Sequence, residues 1–387
     1  MIKKLTIKNF KSHKNTALDF SNLTILCGSN GVGKSSVIHA LLLLRESYLN
    51  KSNFNYIDLK SKSIAIGTAK DALYQYSSTD EVGFEIQTNI YNLIYSFEVN
   101  STDLTKTLIY ESKSSNHVSD KNTLETESLF NKTCQFISAA RIGPQAYYSK
   151  DDVVVDVHNQ ISVIEGRAEH FVHFLYTNRN KDVLDTLVNS KSKADSSNKV
   201  NDLFSQVTAW EREISEGINV IVQDIGQLGY ELKYSFNTEK LEGKTEEFKA
   251  SNVGFGLTYV MPVIVAILSA PTEALLLIEN PEAHLHPNGQ AKLTELICLA
   301  AQAGVQILIE THSDHIINGI LVQCKKFEES GIGISRDNVS LYHFDRDEVE
   351  PCSAAKKINI EENGCIRYTP RGFFDQFTID RKFLMGF

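Results

Sequence analysis

The sequence lacks the features that mark an oxidising compartment, a membrane or a repeat architecture. Its 387 residues hold six cysteines, at 27, 134, 298, 324, 352 and 365. They are scattered and form no C-x-x-C pair, which argues for reduced thiols in a cytoplasmic protein and against a zinc site. No apolar run reaches the roughly 18–20 residues that span a bilayer. The longest approach, LTYVMPVIVAILSA, is too short, so no membrane contact is expected. No secretory leader is visible, since Met1 leads straight into the alternating IKKLTIKNF. There is no internal repeat and no long heptad array. Positive charge is in deficit: 39 Lys and Arg against 48 Asp and Glu leave a net charge of −9. That excludes a bulk nucleic-acid coat. One local basic patch remains, because Lys3, Lys4, Lys8, Lys11 and Lys14 all precede the first acidic residue, Asp19. It fits a solvated strand pair at least as well as a DNA contact.

What is present is an α/β pattern. Paired strands are expected around Ile2, Leu5, Ile7, Leu18 and Phe20, followed by the apolar run 23–27. Residues 64–140 read as β-rich, with period-two alternation through Val82, Phe84 and Ile86 and through Leu93, Tyr95, Phe97 and Val99. Residues 160–222 read as helical, and the polar 189–202 inside them as a mobile loop. After residue 250 helices and strands alternate: a helix over 257–270, a strand over 275–278, and a helix stopped by Gly304. A strand over 305–309 and a helix from Ser313 follow, then short strands over 341–344 and 365–369. Four segments result: an N-terminal lobe (1–150), a helical insert with connecting strands (151–250), a motif-rich segment (251–330) and a small C-terminal domain (331–387).

GSNGVGKSS, residues 28–36, fits G-x-x-x-x-G-K-[ST]. It follows an apolar strand and opens a helix, the context that a phosphate-binding loop requires. Gly28, Asn30, Gly31 and Gly33 let backbone N–H groups converge on phosphate oxygens, and the helix start adds its dipole. Lys34 can reach the outer phosphates, the Ser35 hydroxyl can bind Mg²⁺, and Ser36 continues the motif. Such a loop needs a distant carboxylate, and LLLIE supplies Glu279 at a strand end. A second apolar strand, QILIE, leads into Thr311-His312-Ser313. HLH (His284, His286) and HSDH (His312, His315) invite a separate metal-hydrolase reading, but no further ligand cluster supports it.

These motifs resemble an ABC-type ATPase of the SMC, RecF and OLD-like branch. IKKLTIKNFKSH with LTILCGSNGVGKSSVIHALLLL resembles its opening, and IENPEAHLHP its metal-carboxylate strand and the loop after it. ETHSDHIINGI resembles its switch-histidine loop, SNVGFGLTYVMP its signature segment and FISAARIGPQ its Q-loop. SAARIGP, GFGLTYVMP, IENPEAHLHP and GFFDQF together resemble short prokaryotic AAA/ABC ATPases with a small C-terminal domain of unassigned role. The resemblance implies a P-loop NTPase core with a β-rich N-terminal lobe and a helical insert. It also implies ATP and Mg²⁺ as cofactors and head-to-tail sandwich dimers or higher oligomers. One subunit would offer the phosphate loop, Glu279 and His312, with Gln145 as a further metal ligand. The other would offer Gly254, Gly256 and their helix start. The usual Ser-Gly-Gly of the signature is replaced by VGFG.

Asn280 stands where a proton-accepting carboxylate is usual, and an amide can only orient water. Glu282, beyond Pro281, is the natural substitute, with a surface or dimer-contact carboxylate as the plainer alternative. His312 is a candidate γ-phosphate sensor. Slow, gated hydrolysis is therefore expected. No nuclease domain is expected, and DRDEVE (345–350) reads as an exposed turn. The resemblance implies the ATPase subunit of an anti-phage defence complex with a separate nuclease or toxin. A RecF-like DNA repair ATPase and an ATP-locked scaffold are the rivals.

Overall fold

The computed structural model describes residues 1–50, 54–100, 102–113, 115, 124–194, 200–238, 243–347, 349–370, 372–373 and 376–385. The chain forms two compact units that alternate along the sequence. A central unit comprises residues 1, 61–65 and 122–309, and a terminal unit comprises 2–60, 66–121 and 310–387.

The terminal unit opens with β1 (Ile2–Phe10), β2 (His13–Asp19), β3 (Leu23–Gly28) and the helix Lys34–Leu49. β4 (Tyr56–Asp58), β5 (Glu81–Thr88), β6 (Asn92–Glu98) and β7 (Leu108–Glu111) follow. Six of these strands form a sheet in the order β2-β1-β5-β6-β7-β4, antiparallel throughout. The period-two alternation becomes a buried face: Val82 pairs with Phe97, Phe84 with Tyr95 and Ile86 with Leu93, all buried. One apolar face over a solvated one is what an antiparallel sheet of this kind requires.

In the central unit, β8 (Cys134–Ile137) is followed by an antiparallel group: β9 (Ile218–Asp224), β10 (Tyr230–Thr238), β11 (Gly243–Lys244) and β12 (Phe248–Lys249). β13 (Leu275–Glu279) runs parallel to β8, Leu275 opposite Cys134, and β14 (Gln306–Glu310) is its other neighbour. Every residue of β13 and β14 is buried, which is why both read as unbroken apolar runs. The helix Phe255–Ser269 leads into β13, and Pro287–Gln302 connects β13 to β14. Gly304, at φ 99°, ends the second of these, as its sequence predicts.

The terminal unit resumes with the helix Asp314–Ser330. Ser313 caps it, accepting from the backbone N–H groups of His315 and Ile316. β15 (Val339–Arg346) then lies parallel to β3, Leu23 opposite Val339 and Gly28 opposite Phe344, and pairs antiparallel with β16 (Ser353–Ile358).

Two expectations change. The helical reading of 160–222 holds for Phe171–Asn178 and Leu203–Ile214, but Ile218–Asp224 is a strand, because its β-branched run finds a seven-pair ladder with β10. The strand expected over 365–369 does not form; the turn Glu362–Gly364 precedes it and no ladder takes it up. Part of the expected 189–202 loop, residues 195–199, lies outside the described residues. Among the described residues no helix is long and apolar enough to cross a membrane.

Candidate functional site

The phosphate loop belongs to the terminal unit. Gly28, Gly31 and Gly33 all have positive φ, of 133°, 76° and 100°. Gly33 also has no room for a side chain, since a Cβ there would lie 2.2 Å from the Ser353 Oγ and 2.6 Å from the Ser12 Oγ. The two hydroxyls are 2.6 Å apart, and the Ser353 N–H donates to the Ser12 carbonyl at 2.8 Å. His13 completes this backing. It is fully buried, its Nε2 is 3.0 Å from the Gly33 carbonyl and its Nδ1 is 2.9 Å from the Thr16 hydroxyl. A carbonyl only accepts, so Nε2 carries the proton and Nδ1 accepts from Thr16.

The helix Lys34–Leu49 begins at Gly33 with no side-chain cap on its first N–H groups. An uncapped helix start is anion-binding chemistry. Lys34 is buried, and its ammonium donates to the carbonyls of Ser29 at 2.6 Å and Gly28 at 3.2 Å. Its Nζ is 3.8 Å from the Glu310 Oε1. Burial pushes the Lys34 pKa down, and the Glu310 charge opposes that. Asn30 and Gly31 are exposed, Ser35 is half-buried and Ser36 is buried. His312 interacts with the Gly28 backbone, and desolvation, then the Lys34 charge, hold its pKa below the ordinary value. A cavity of about 360 Å³ adjoins the loop, its lining including Lys11, Gly31, Tyr74, Tyr76, Arg346 and Ser353.

Glu279, Glu282, Gly254, Gly256 and Gln145 belong to the central unit. Glu279 ends β13, and its Oε2 accepts from the Ser138 hydroxyl at 3.2 Å and the Ala139 N–H at 3.0 Å. Asn280 has φ 43°, a left-handed conformation that asparagine tolerates better than glutamate does. The backbone at this point therefore favours the residue that looked anomalous in the sequence. Glu282 is buried, not a surface carboxylate, and its charge acts on Arg141. Gln145 is exposed, with its amide 3.5 Å from the Gly143 carbonyl.

Arg141 organises this group. Its Nε donates to the Tyr259 carbonyl at 2.7 Å, and its other N–H groups reach the carbonyls of Ser138, Glu279, Asn280 and Pro281 at 2.9–3.4 Å. The guanidinium also lies 4.3 Å from the centre of the Tyr259 ring. Burial lowers its pKa to about 10, so it stays charged. Phe255, Tyr259 and His284 form a mutual ring cluster at 4.8–5.3 Å. Gly256 is required there, because a Cβ would meet the His284 carbonyl at 2.4 Å. Gly254 is different. Its φ is −53°, and a Cβ would meet nothing within 4 Å.

Residues 1–317 match the AAA ATPase domain family. The chain belongs to that family. Residues 334–383 of this AAA-domain protein match a family described as a protein of unknown function, DUF3696. The DNA double-strand break repair Rad50 ATPase of Archaeoglobus fulgidus is 31% identical over 71 residues, 17% of this chain and 8% of that protein. The DNA replication and repair protein RecF of Leptospira interrogans is 36% identical over 87 residues, 21% of this chain and 23% of that protein. The chain therefore spans under a quarter of either relative. Among solved structures, an SMC head bound to the C-winged helix domain of ScpA aligns at TM-score 0.50 and 14% identity, covering 93% of this chain and 98% of that one. A Pyrococcus furiosus Smc head domain bound to the C-terminal domain of ScpA aligns at TM-score 0.51 and 12% identity, covering 99% of each chain. The fold of this AAA-domain protein is thus the mixed α/β P-loop ATPase core of SMC heads.

Arg141 and Glu310 escaped the sequence reading. Arg141 sits inside SAARIGP, where an arginine among small residues was the available signal. Glu310 ends QILIE as Glu279 ends LLLIE, and the parallel endings were the clue.

Proposed function

We propose that the protein binds ATP with Mg²⁺ and hydrolyses it slowly in a head-to-tail dimer. The observation that carries this reading is the buried Lys34, hydrogen-bonded to its own loop at an uncapped helix start. The Ser35 hydroxyl and the Glu279 carboxylate are hard oxygen donors suited to Mg²⁺, which binds through one or two protein groups plus phosphate and water. When bound, the ion neutralises phosphate charge. Lys34 and the helix start hold the phosphates, His312 orients the outer one, and Glu282 accepts the proton of the attacking water. Gln145 is the further metal ligand. Gly254, at the start of its helix, has open space around it among the described residues, which leaves room for the close approach of a second subunit. The cavity beside the loop is lined by the exposed Tyr76 ring and by Lys11, Lys70 and Arg346, suited to an aromatic base and its phosphates.

The test is phosphate release by purified protein. Lys34→Ala abolishes it, and Glu279→Gln and Glu282→Gln each lower it by roughly 10²-fold or more, as loss of general-base or metal help does. Turnover untouched by both glutamine variants sinks the assignment.

For the biological role, a RecF-like DNA repair or recombination ATPase is the better-supported reading, because the matched relatives are named for repair of DNA. A separate partner subunit fits the SMC heads that carry ScpA. The defence-complex reading, with a nuclease or toxin partner, rests on the sequence resemblance alone. Salt-dependent DNA binding that weakens when Lys3, Lys4 and Lys8 are replaced supports the repair role. No binding at low salt, with nucleotide present, counts against it.

A further inference from the structure

Glu310 has no place in the mechanism above, yet it touches the residue on which that mechanism depends. It is the last residue of β14 and is buried. The next residue, Thr311, lies with Glu310 in the terminal unit and donates its N–H to the Leu26 carbonyl at 3.0 Å, in the strand that feeds the phosphate loop. The Glu310 backbone is therefore fixed beside the loop. Its Oε1 is 3.8 Å from the Lys34 Nζ, with side-chain exposures of 8% and 2%. An ammonium has three donors. Two of those of Lys34 reach the Ser29 and Gly28 carbonyls, and the Glu310 carboxylate lies at ion-pair distance, so its positive charge is already matched within the protein.

The geometry points to Glu310 as a positioning residue that stands in for phosphate at Lys34 and competes with the nucleotide for it. This inference rests on Lys34 holding the phosphates of a nucleotide. An incoming polyphosphate must draw Lys34 away from a buried carboxylate of its own sign. Like charges in a poorly solvated site repel strongly. Glu310 thus keeps the lysine extended and charged before binding, and loosens the grip on phosphate afterwards. A loosened grip favours exchange of nucleotide over trapping.

The experiment is equilibrium titration of wild type, Glu310→Asp and Glu310→Gln with ATP, ADP and inorganic tripolyphosphate. Steady-state turnover and thermal unfolding are measured alongside. Glutamine keeps the shape and removes the charge, and aspartate draws the carboxylate back by one methylene. The expected order of affinity is Gln above Asp above Glu, with glutamine about tenfold tighter than wild type. KM falls in the same order. Tripolyphosphate alone follows the ranking, because the effect acts on phosphate and not on the base. Glu310→Gln also melts at lower temperature without ligand, since it strands a buried ammonium, and gains more from nucleotide than wild type does. If it does not fold, the aspartate variant still decides between tighter and unchanged binding. Folded variants that bind all three ligands as wild type does, or more weakly, overturn the role of Glu310. Wild-type protein that binds none of them overturns instead the nucleotide-binding reading.

Discussion

The Arg141 guanidinium donates to the Asn280 carbonyl at 2.9 Å, and the carbonyls on either side of Asn280, those of Glu279 and Pro281, accept from the same side chain. Asn280 has φ 43°, so the turn carrying Glu279 and Glu282 is held in a left-handed step by one buried cation. Arg141→Ala leaves several buried carbonyls without a donor. It is expected to cost about 3 kcal/mol or more. Arg141→Lys keeps the charge but lacks the planar fork, and recovers only part of that loss. Urea unfolding of both variants measures the difference. An alanine variant within about 0.5 kcal/mol of wild type, at unchanged slope, shows that the turn holds itself.

His13 gives the fold an acid limit. Burial lowers its pKa from 6.5 to about 4 in the folded chain. The unfolded chain takes up this proton near pH 6.5 and the folded chain only near 4. The stability it contributes is therefore complete above about pH 6.5 and is lost as pH falls toward 4. Unfolding temperatures between pH 7.5 and 4.5 should drop by several degrees, and His13→Gln should flatten that slope. Parallel slopes would assign the acid sensitivity to other groups, His39 first, whose pKa burial lowers to about 3.

Glu211 sets the opposite dependence. It lies fully buried on the helix Leu203–Ile214, and among the described residues neither carboxyl oxygen has a hydrogen-bond partner. Burial holds its pKa well above the ordinary value. Its stability contribution is then complete below about pH 4.5 and shrinks as pH rises toward the folded pKa. Glu211→Gln should raise the unfolding temperature at pH 8 and leave it nearly unchanged at pH 4.5. An equal gain at both pH values would trace the effect to packing and not to charge.

Ser353 ties the C-terminal segment to the phosphate loop through Ser12 and Gly33. Ser353→Ala should weaken nucleotide binding about threefold, and Ser353→Val, which pushes bulk toward Gly33, by tenfold or more. Ser353→Thr keeps the hydroxyl and should fall between wild type and valine. Titration with a fluorescent nucleotide, beside unfolding temperatures, separates a loop effect from general destabilisation. Equal affinities across the series would leave Ser353 as packing alone.

Most of the strand and helix pattern was legible because burial wrote it into the sequence. Val82, Phe84 and Ile86 alternate because one face of β5 is covered, and LLLIE and QILIE do not alternate because both faces are. The phosphate loop was legible because glycine, lysine and serine are each demanded by their positions. Two kinds of residue were not. Ile218–Asp224 reads as helix until β10, beyond the Gly226–Leu228 turn, supplies its ladder. Arg141 and Glu310 act on backbone carbonyls and on Lys34 that lie more than a hundred residues away in the chain. No local spacing encodes such a partner. Asn280 was legible as an oddity, but its reason is a backbone angle that the letters do not carry.

The alternation of the two units along the chain also sets an order of events at the ribosome. β3 emerges early, and its parallel partner β15 follows about three hundred residues later. At roughly 5–20 residues per second, the strand that feeds the phosphate loop waits about 15–60 s for that neighbour. Throughout that interval the edge of the apolar run 23–27 that β15 will cover stays open, so the nascent protein passes through a long window of exposure to pairing with other chains.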